Sequence, residues 1–352
     1  LRARTSDSGS GFDVTEENSA LLARLCERLD GIPLAIELAA ARLRTLSVGE
    51  VFERLDRRFQ LLTAGNSSAL PRHQTLAALI DWSYALCSAN EQALWGRSSV
   101  FAGSFTLAAA EVVCAGDGLA GDEIVDLVDA LVHKSILIVE RAGKEMRYRL
   151  LETLREYGKD RLTKKEELTR LHVAHRDYFL CLAERSFAEW CGPEQPSWLA
   201  RLREDHTNLR SAFDYCVEGD QLEQACALAA ALQWYWIAGG CLGERRRWFR
   251  QALSPDAKNA PCRARANAMW VDAYLALLRG EVGEAQTRLE DAEKLAGMID
   301  APDLFGYIAQ LRGMAALFGG EPAEARIHYE RGMASHEERG DIAGVLIGDL
   351  GV

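Results

Sequence analysis

The chain has 352 residues, 48% hydrophobic and 26% charged, which is enough apolar material for two or three packed domains and excludes a disordered composition. Its formal net charge of -11 excludes a uniformly basic nucleic-acid binder, although not a local basic face. Nine cysteines, an odd number with no Cys-x-x-Cys pair, argue against a disulfide framework or a zinc site and for reduced thiols in a cytoplasmic protein.

Residues 1–12 are polar and Gly/Ser-rich, which predicts an unstructured arm. A helix is predicted over 15–29, with Thr15 as N-cap, Asn18 three residues on, and Leu21, Leu22, Leu25 and Leu29 as its apolar stripe. Gly31-Ile32-Pro33 breaks it, and Pro33 suits the first turn of a second helix ending near residue 43. Ser47 and Glu50 form a capping-box pattern for a third helix over 47–55. Together these make a helical module over 1–64 that is not a closed domain. Residues 64–71 read as a linker.

Residues 65–165 read as a winged-helix domain. An amphipathic helix is predicted over 73–86, followed by one capped by Asn90 with Leu94 and Trp95 facing inward. A short extended piece at 101–105 precedes helices over 107–114 and 122–133. Strands over 135–140 and 146–150 pair across Ala142-Gly143-Lys144 as a two-stranded wing. A helix over 152–162 follows.

From 166 to 352 the chain reads as helical repeats of the tetratricopeptide kind. Gly240, Gly280 and Gly320 fall 40 residues apart, and each turn is followed by a helix with a Glu in its first turn. Gly219-Asp220 and Gly340-Asp341 mark intervening junctions. Paired helices such as 265–278 and 283–295 fit an α-solenoid. The run 225–242 is apolar except for Gln233, but it is shorter than the roughly 20 residues that cross a bilayer. A buried repeat helix is therefore expected there. The fold class expected for the whole chain is mainly α, with one small β hairpin.

The stretch Gly31-Ile32-Pro33-Leu34-Ala35 resembles the "GLPLA" element of the signal-transduction ATPases called STAND or NB-ARC ATPases. Further pieces follow in order: Arg72-His73-Gln74-Thr75-Leu76, Asp81-Trp82-Ser83-Tyr84, Val100-Phe101-Ala102-Gly103-Ser104-Phe105, Leu131-Val132-His133-Lys134-Ser135 and Tyr148-Arg149-Leu150-Leu151-Glu152, with Asn208-Leu209-Arg210 last. As a set they resemble bacterial LuxR-like or AfsR-like transcriptional regulators with an ATPase core. The resemblance implies that Gly31, Ile32 and Pro33 contact the adenine of ATP or ADP in an intact protein. It also places Glu152 at the acid of the family's Met-His-Asp motif. Leu151 stands where that motif has histidine, so the phosphate contact of that histidine is absent.

No Gly-x-x-x-x-Gly-Lys-Ser/Thr occurs, so the chain is expected to hydrolyse no ATP and to hold no nucleotide tightly. The implied engine is an ATPase domain upstream in cis. Leu1 reads as a cut site, and Val352 falls inside an expected helix. The implied function is that of a regulatory sensor. The repeats would bind a protein or small-molecule effector, and the winged helix would relay to the nucleotide site, with homo-oligomerisation possible on activation. Two alternatives are a free-standing repeat scaffold and a winged-helix DNA-binding protein.

Other site-like features have plain readings. His172 and His175 lie at i, i+3 without a third metal ligand and read as solvated or capping; His133 reads as packed or exposed. Glu166-Glu167, Glu290-Asp291 and Glu337-Glu338 read as solvated helix faces. The wing carries Arg141, Lys144, Arg147 and Arg149, but Asp122, Glu123, Asp126 and Asp129 precede it and would repel DNA. Arg245-Arg246-Arg247-Trp248-Phe249-Arg250 reads as an exposed basic helix face, with Trp248 and Phe249 partly packed.

Overall fold

The structure, a computed structural model, describes residues 15–29, 32–43, 45–63, 71–142, 145–164, 167–239, 242–254, 261–341, 344, 345 and 348. It is mainly α, with one small antiparallel sheet. The arm at 1–12, the linker residues 64–70, Gly31, Lys144, Glu166 and Gly240 lie outside the described residues. The chain divides into two compact units, 1–175 and 176–352.

In the first unit, α1 (Glu16–Arg28) is closed by a Thr15/Asn18 capping box, and α2 (Pro33–Arg42) begins at Pro33. Ser47 and Glu50 cap α3 (Val48–Thr63), which runs eight residues beyond its expected end. Next come α4 (Pro71–Ala85) and α5 (Ala89–Ser98). Pro71 begins α4 instead of ending a linker. The cap of α5 is Ser88, not Asn90: Ser88 and Glu91 exchange the two bonds of a capping box, a pattern that Asn90, inside the first turn, does not satisfy. Both α2 and α3 pack on α4.

The sheet has three strands, not the expected two. β1 (Phe105–Thr106) pairs with β3 (Glu145–Leu150), which pairs with β2 (Leu137–Ala142) in the register Leu137↔Leu150. Between β1 and β2 lie α6 (Leu107–Val113) and α7 (Ile124–His133); α8 (Glu152–Lys164) follows β3. Several pieces that carry the family resemblance are packing devices here. Trp95 is fully buried, and its indole N–H donates to the Leu154 carbonyl at 2.9 Å. Tyr84, Trp95 and Tyr157 surround one another with centroids 5.5 Å apart. Asp81 accepts from the Tyr157 hydroxyl at 2.5 Å and from Arg161 at 2.7 Å.

α9 (Leu168–Ala188) spans the division between the units. The second unit continues with α10 (Gln195–Glu204), α11 (His206–Glu218), α12 (Leu222–Ala231), α13 (Gln233–Gly239), α14 (Leu242–Ala252), α15 (Arg263–Leu277), α16 (Val282–Met298), α17 (Leu304–Phe318) and α18 (Pro322–Glu337). The apolar run near 225–242 is thus broken at Leu232 into short buried helices. Among the described residues no helix is long and apolar enough to cross a membrane.

The repeat is written in its helix ends. After α15 the Gly280 N–H bonds to the Leu277 carbonyl and that of Glu281 to Ala276; after α17 the same pair joins Gly320 to Leu317 and Glu321 to Ala316. This closure needs a left-handed residue, and Gly280 (φ 78°) and Gly320 (φ 80°) supply it. Asp220, Asp300 and Gly340 also have positive φ, so the junctions at 280, 300, 320 and 340 recur every helix, not every second one. α17 and α18 approach closely at Gly306, Gly313 and Gly332: a Cβ on Gly332 would lie 3.0 Å from the Gly306 carbonyl.

Candidate functional site

The residues expected to contact a nucleotide come first. Gly31 is outside the described residues. Ile32 is the half-buried N-cap of α2, and Pro33 is exposed at its first position, so the proline ring is open to a flat base. Glu152 opens α8, a different helix, where its carboxylate is held by Arg155 at 2.5 and 3.0 Å. Those bonds hold its carboxyl below the usual range. It is therefore engaged within its own helix. Pro33 and Ile32 fit a contact with adenine; Glu152 is committed elsewhere.

The basic features shrink on inspection. Arg147 is 2% exposed and donates to the Ser104 hydroxyl and carbonyl, fixing β3 to the turn before β1. Arg149 pairs with Glu140. Of the described wing cations only Arg141 remains without such an anchor. In the Arg245–Arg250 run, Arg246, Arg247 and Arg250 are exposed and Trp248 and Phe249 are packed, as expected; Arg245 departs from the expectation and is buried. Arg246 lies 3.6 and 3.5 Å from Glu281 and Glu284. Glu167 is not a free solvated acid either, because it lies 3.3 Å from the buried Arg97. His175 is buried beside Phe101 instead of solvated, and no metal-binding group of His, Cys, Asp and Glu occurs among the described residues.

The site with the most chemistry lies wholly in the second unit. A groove of about 630 Å³ is lined by α9, α12, α15 and α17, with Asp341 at its edge. Its floor carries Trp270 stacked on Tyr307, centroids 4.7 Å apart and 13° from parallel. Gln233 also lines it; that side chain is 2% exposed, and its carbonyl oxygen has no hydrogen-bond partner among the described residues. A buried acceptor left unfilled costs free energy until a donor reaches it, on the order of 1–3 kcal/mol.

Four carboxylates line the groove, Glu184, Glu223, Asp303 and Asp341, against one guanidinium, Arg263. Arg263 is already paired with Asp303 across α15 and α17. Asp341 is held by the Tyr307 hydroxyl, by His336 Nδ1 at 3.0 Å and by the Gly344 N–H at 3.1 Å. Burial alone would raise the Asp341 carboxyl, but these donors outweigh it and hold it below the usual range. Burial pushes Tyr307 well above an ordinary phenol, and the hydrogen bond to Asp341 adds to this. Glu184 and Glu223 are exposed and have no ion-pair partner among the described residues. The groove therefore offers uncompensated negative charge, an aromatic face and an unfilled acceptor. Gln233 was the one polar residue in an apolar run, which was a visible signal. Trp270, Tyr307 and the acids come from helices far apart in sequence and gave none.

Over 270 residues, or 75% of this chain and 30% of theirs, the chain is 39% identical to proteins of Mycobacterium tuberculosis and Mycobacterium bovis whose names class them, by inference, as HTH-type transcriptional regulators. An uncharacterised protein of Mycobacterium tuberculosis is 38% identical over 170 residues, 48% of this chain and 43% of its own. The chain thus spans less than half the length of these relatives. No family profile matches the chain. The crystal structure of a STAND protein with a tetratricopeptide repeat sensor from Pyrococcus horikoshii superposes with a TM-score of 0.43 at 11% identity, covering 89% of this chain and 49% of that one.

Proposed function

We propose that this chain is the sensor-side portion of a transcriptional regulator of the STAND, LuxR-like kind, and that its repeat groove receives a small organic cation. The observation that carries the ligand chemistry is the groove itself: unpaired Glu184 and Glu223, the Trp270–Tyr307 stack and the unfilled Gln233 acceptor. An organic cation with N–H donors meets all three, through charge, through the ring face and through the amide oxygen. The similarity to mycobacterial proteins named for transcriptional regulation supports the regulatory setting. In this reading ATP or ADP is held by an ATPase domain in cis, with Ile32 and Pro33 against the base, and the chain itself turns over no ATP. Effector binding biases a switch only if its two states differ in their contacts with the effector.

The test uses arginyl-phenylalaninamide as probe, titrated calorimetrically into the 352-residue chain. Saturable binding is expected, weakened about tenfold in the double variant Glu184→Gln/Glu223→Gln, since two exposed charges are together worth on the order of 1.4 kcal/mol. Both side chains are exposed, so the variant should fold. Absence of binding, or equal affinity in the variant, contradicts the proposal.

A further inference from the structure

A second cavity, of about 430 Å³, lies in the first unit between the C-terminal end of α2, α3 and the end of α7. Its polar lining is cationic: Arg42, Arg54, His133 and Lys134. Lys134 pairs with Glu91 Oε2, the same oxygen that accepts from the Ser88 N–H. His133 lies 3.3 Å from Asp129 on an exposed face.

Arg42 is different. It is 5% exposed, and its Nε and Nη2 have no hydrogen-bond partner among the described residues. A guanidinium has five N–H donors in a rigid fork, and burying one without a counterion is costly. Burial correspondingly lowers the Arg42 pKa, with the nearby Glu91 opposing only in part. Arg54 lies at the cavity's exposed side, with the Glu50 carboxylate one turn earlier on α3 as an electrostatic neighbour. The C-terminal ends of α2 and α7 favour a cation here through their dipoles but give Arg42 no counterion. The Arg42 carbonyl accepts from Thr45 and Leu46, that of Ala130 from Lys134, and that of Leu131 from Ile136.

We infer that this cavity binds the phosphoryl group of a small anion, with Arg42 as the buried fork and Arg54 as the outer contact. Guanidinium groups match phosphate oxygens in a bidentate geometry, and a dianion would supply the hydrogen-bonded counterion that the buried Arg42 fork lacks, with Arg54 adding positive charge at the rim. The cavity is separate from the adenine contact described above. Pro33 opens α2 and Arg42 closes it, which at 1.5 Å per residue puts them roughly 14 Å apart along the helix. The inference therefore stands or falls independently of the groove.

Inorganic phosphate and glycerol 3-phosphate are titrated in parallel into the 352-residue chain, with ionic strength held constant by sodium chloride, and thermal midpoint and binding heat are read. A saturable rise in midpoint is expected, because a ligand that binds only the folded state stabilises it by mass action. Arg54→Ala should weaken binding about threefold or more. Arg42→Met should abolish it and raise the ligand-free midpoint, since it removes an uncompensated buried charge. Tighter binding of the ester than of phosphate assigns the site to an organic phosphate, and the reverse to the free ion. If Arg42→Met fails to fold, Arg54→Ala decides. A shift no larger than that given by chloride, or one unchanged in Arg54→Ala, overturns the inference.

Discussion

Replacing Trp248 by alanine should destabilise the second unit by about 3–5 kcal/mol, the usual cost of truncating a buried aromatic. Trp248 is 2% exposed and lies where three helices meet. It stacks on Phe213 of α11 with centroids 4.2 Å apart and 11° from parallel, and it meets Trp236 of α13 edge-on at 5.0 Å. Trp236 in turn donates its indole N–H to the Ala229 carbonyl of α12 at 3.1 Å. The ring therefore ties α14 to α11 and α13, and a cavity left there cannot be filled by one neighbour moving. For a unit of this size each kcal/mol lowers the midpoint by roughly 2–4 °C. Calorimetry of the variant should show the second unit melting on the order of 10 °C earlier. A loss below about 1 kcal/mol would mean that the cluster is not what holds these helices together.

Arg97→Met should cost the first unit about 2–4 kcal/mol, with Arg97→Lys recovering little of it. Arg97 is 1% exposed, yet it is richly bonded, unlike Arg42. Its Nη1 donates to the carbonyls of Cys114 (2.9 Å) and Gly116 (2.6 Å), and its Nη2 to Asp117 (3.2 Å) and to the Glu167 carboxylate (3.3 Å). The loop it closes has left-handed residues at Gly116, Asp117 and Gly118, held also by the two backbone bonds between Gly116 and Leu119 and by Arg170 on Asp117. Methionine fills the space but leaves the Cys114 and Asp117 carbonyls unserved, the Gly116 carbonyl keeping only the Leu119 N–H, and an ammonium cannot reach four acceptors from one point. Urea denaturation of both variants measures this. Full recovery by lysine would show that charge alone, and not the fork, secures the loop.

What could be read in the sequence was local and what could not was relational. The caps of α1 and α3 were legible because Thr15/Asn18 and Ser47/Glu50 act over three residues. The proline start of α2 and the 40-residue spacing of glycines were legible for the same reason. Asp300 escaped because the junction it closes uses an aspartate where its neighbours use glycine. β1 escaped because two residues, Phe105 and Thr106, carry no period; the strand exists only through its pairing with β3. In the run at Arg245–Arg250 it was Arg245 that misled, because charge suggests solvent, whereas it is buried along with Trp248 and Phe249. Of the proposed sites, Gln233 was marked by its apolar surroundings. Arg42, Trp270 and Tyr307 acquire meaning only from neighbours far along the chain.

The claim that this chain is the sensor-side portion of an ATPase switch is tested most directly by sequencing its gene upstream of the codon for Leu1, across about 250 residues' worth of reading frame. The account predicts a strand followed by Gly-x-x-x-x-Gly-Lys-Ser/Thr, with a later hydrophobic strand ending in two acids. A start codon close to Leu1, or a long upstream region without that phosphate-binding loop, would contradict it and leave Ile32 and Pro33 as a joint between two helices.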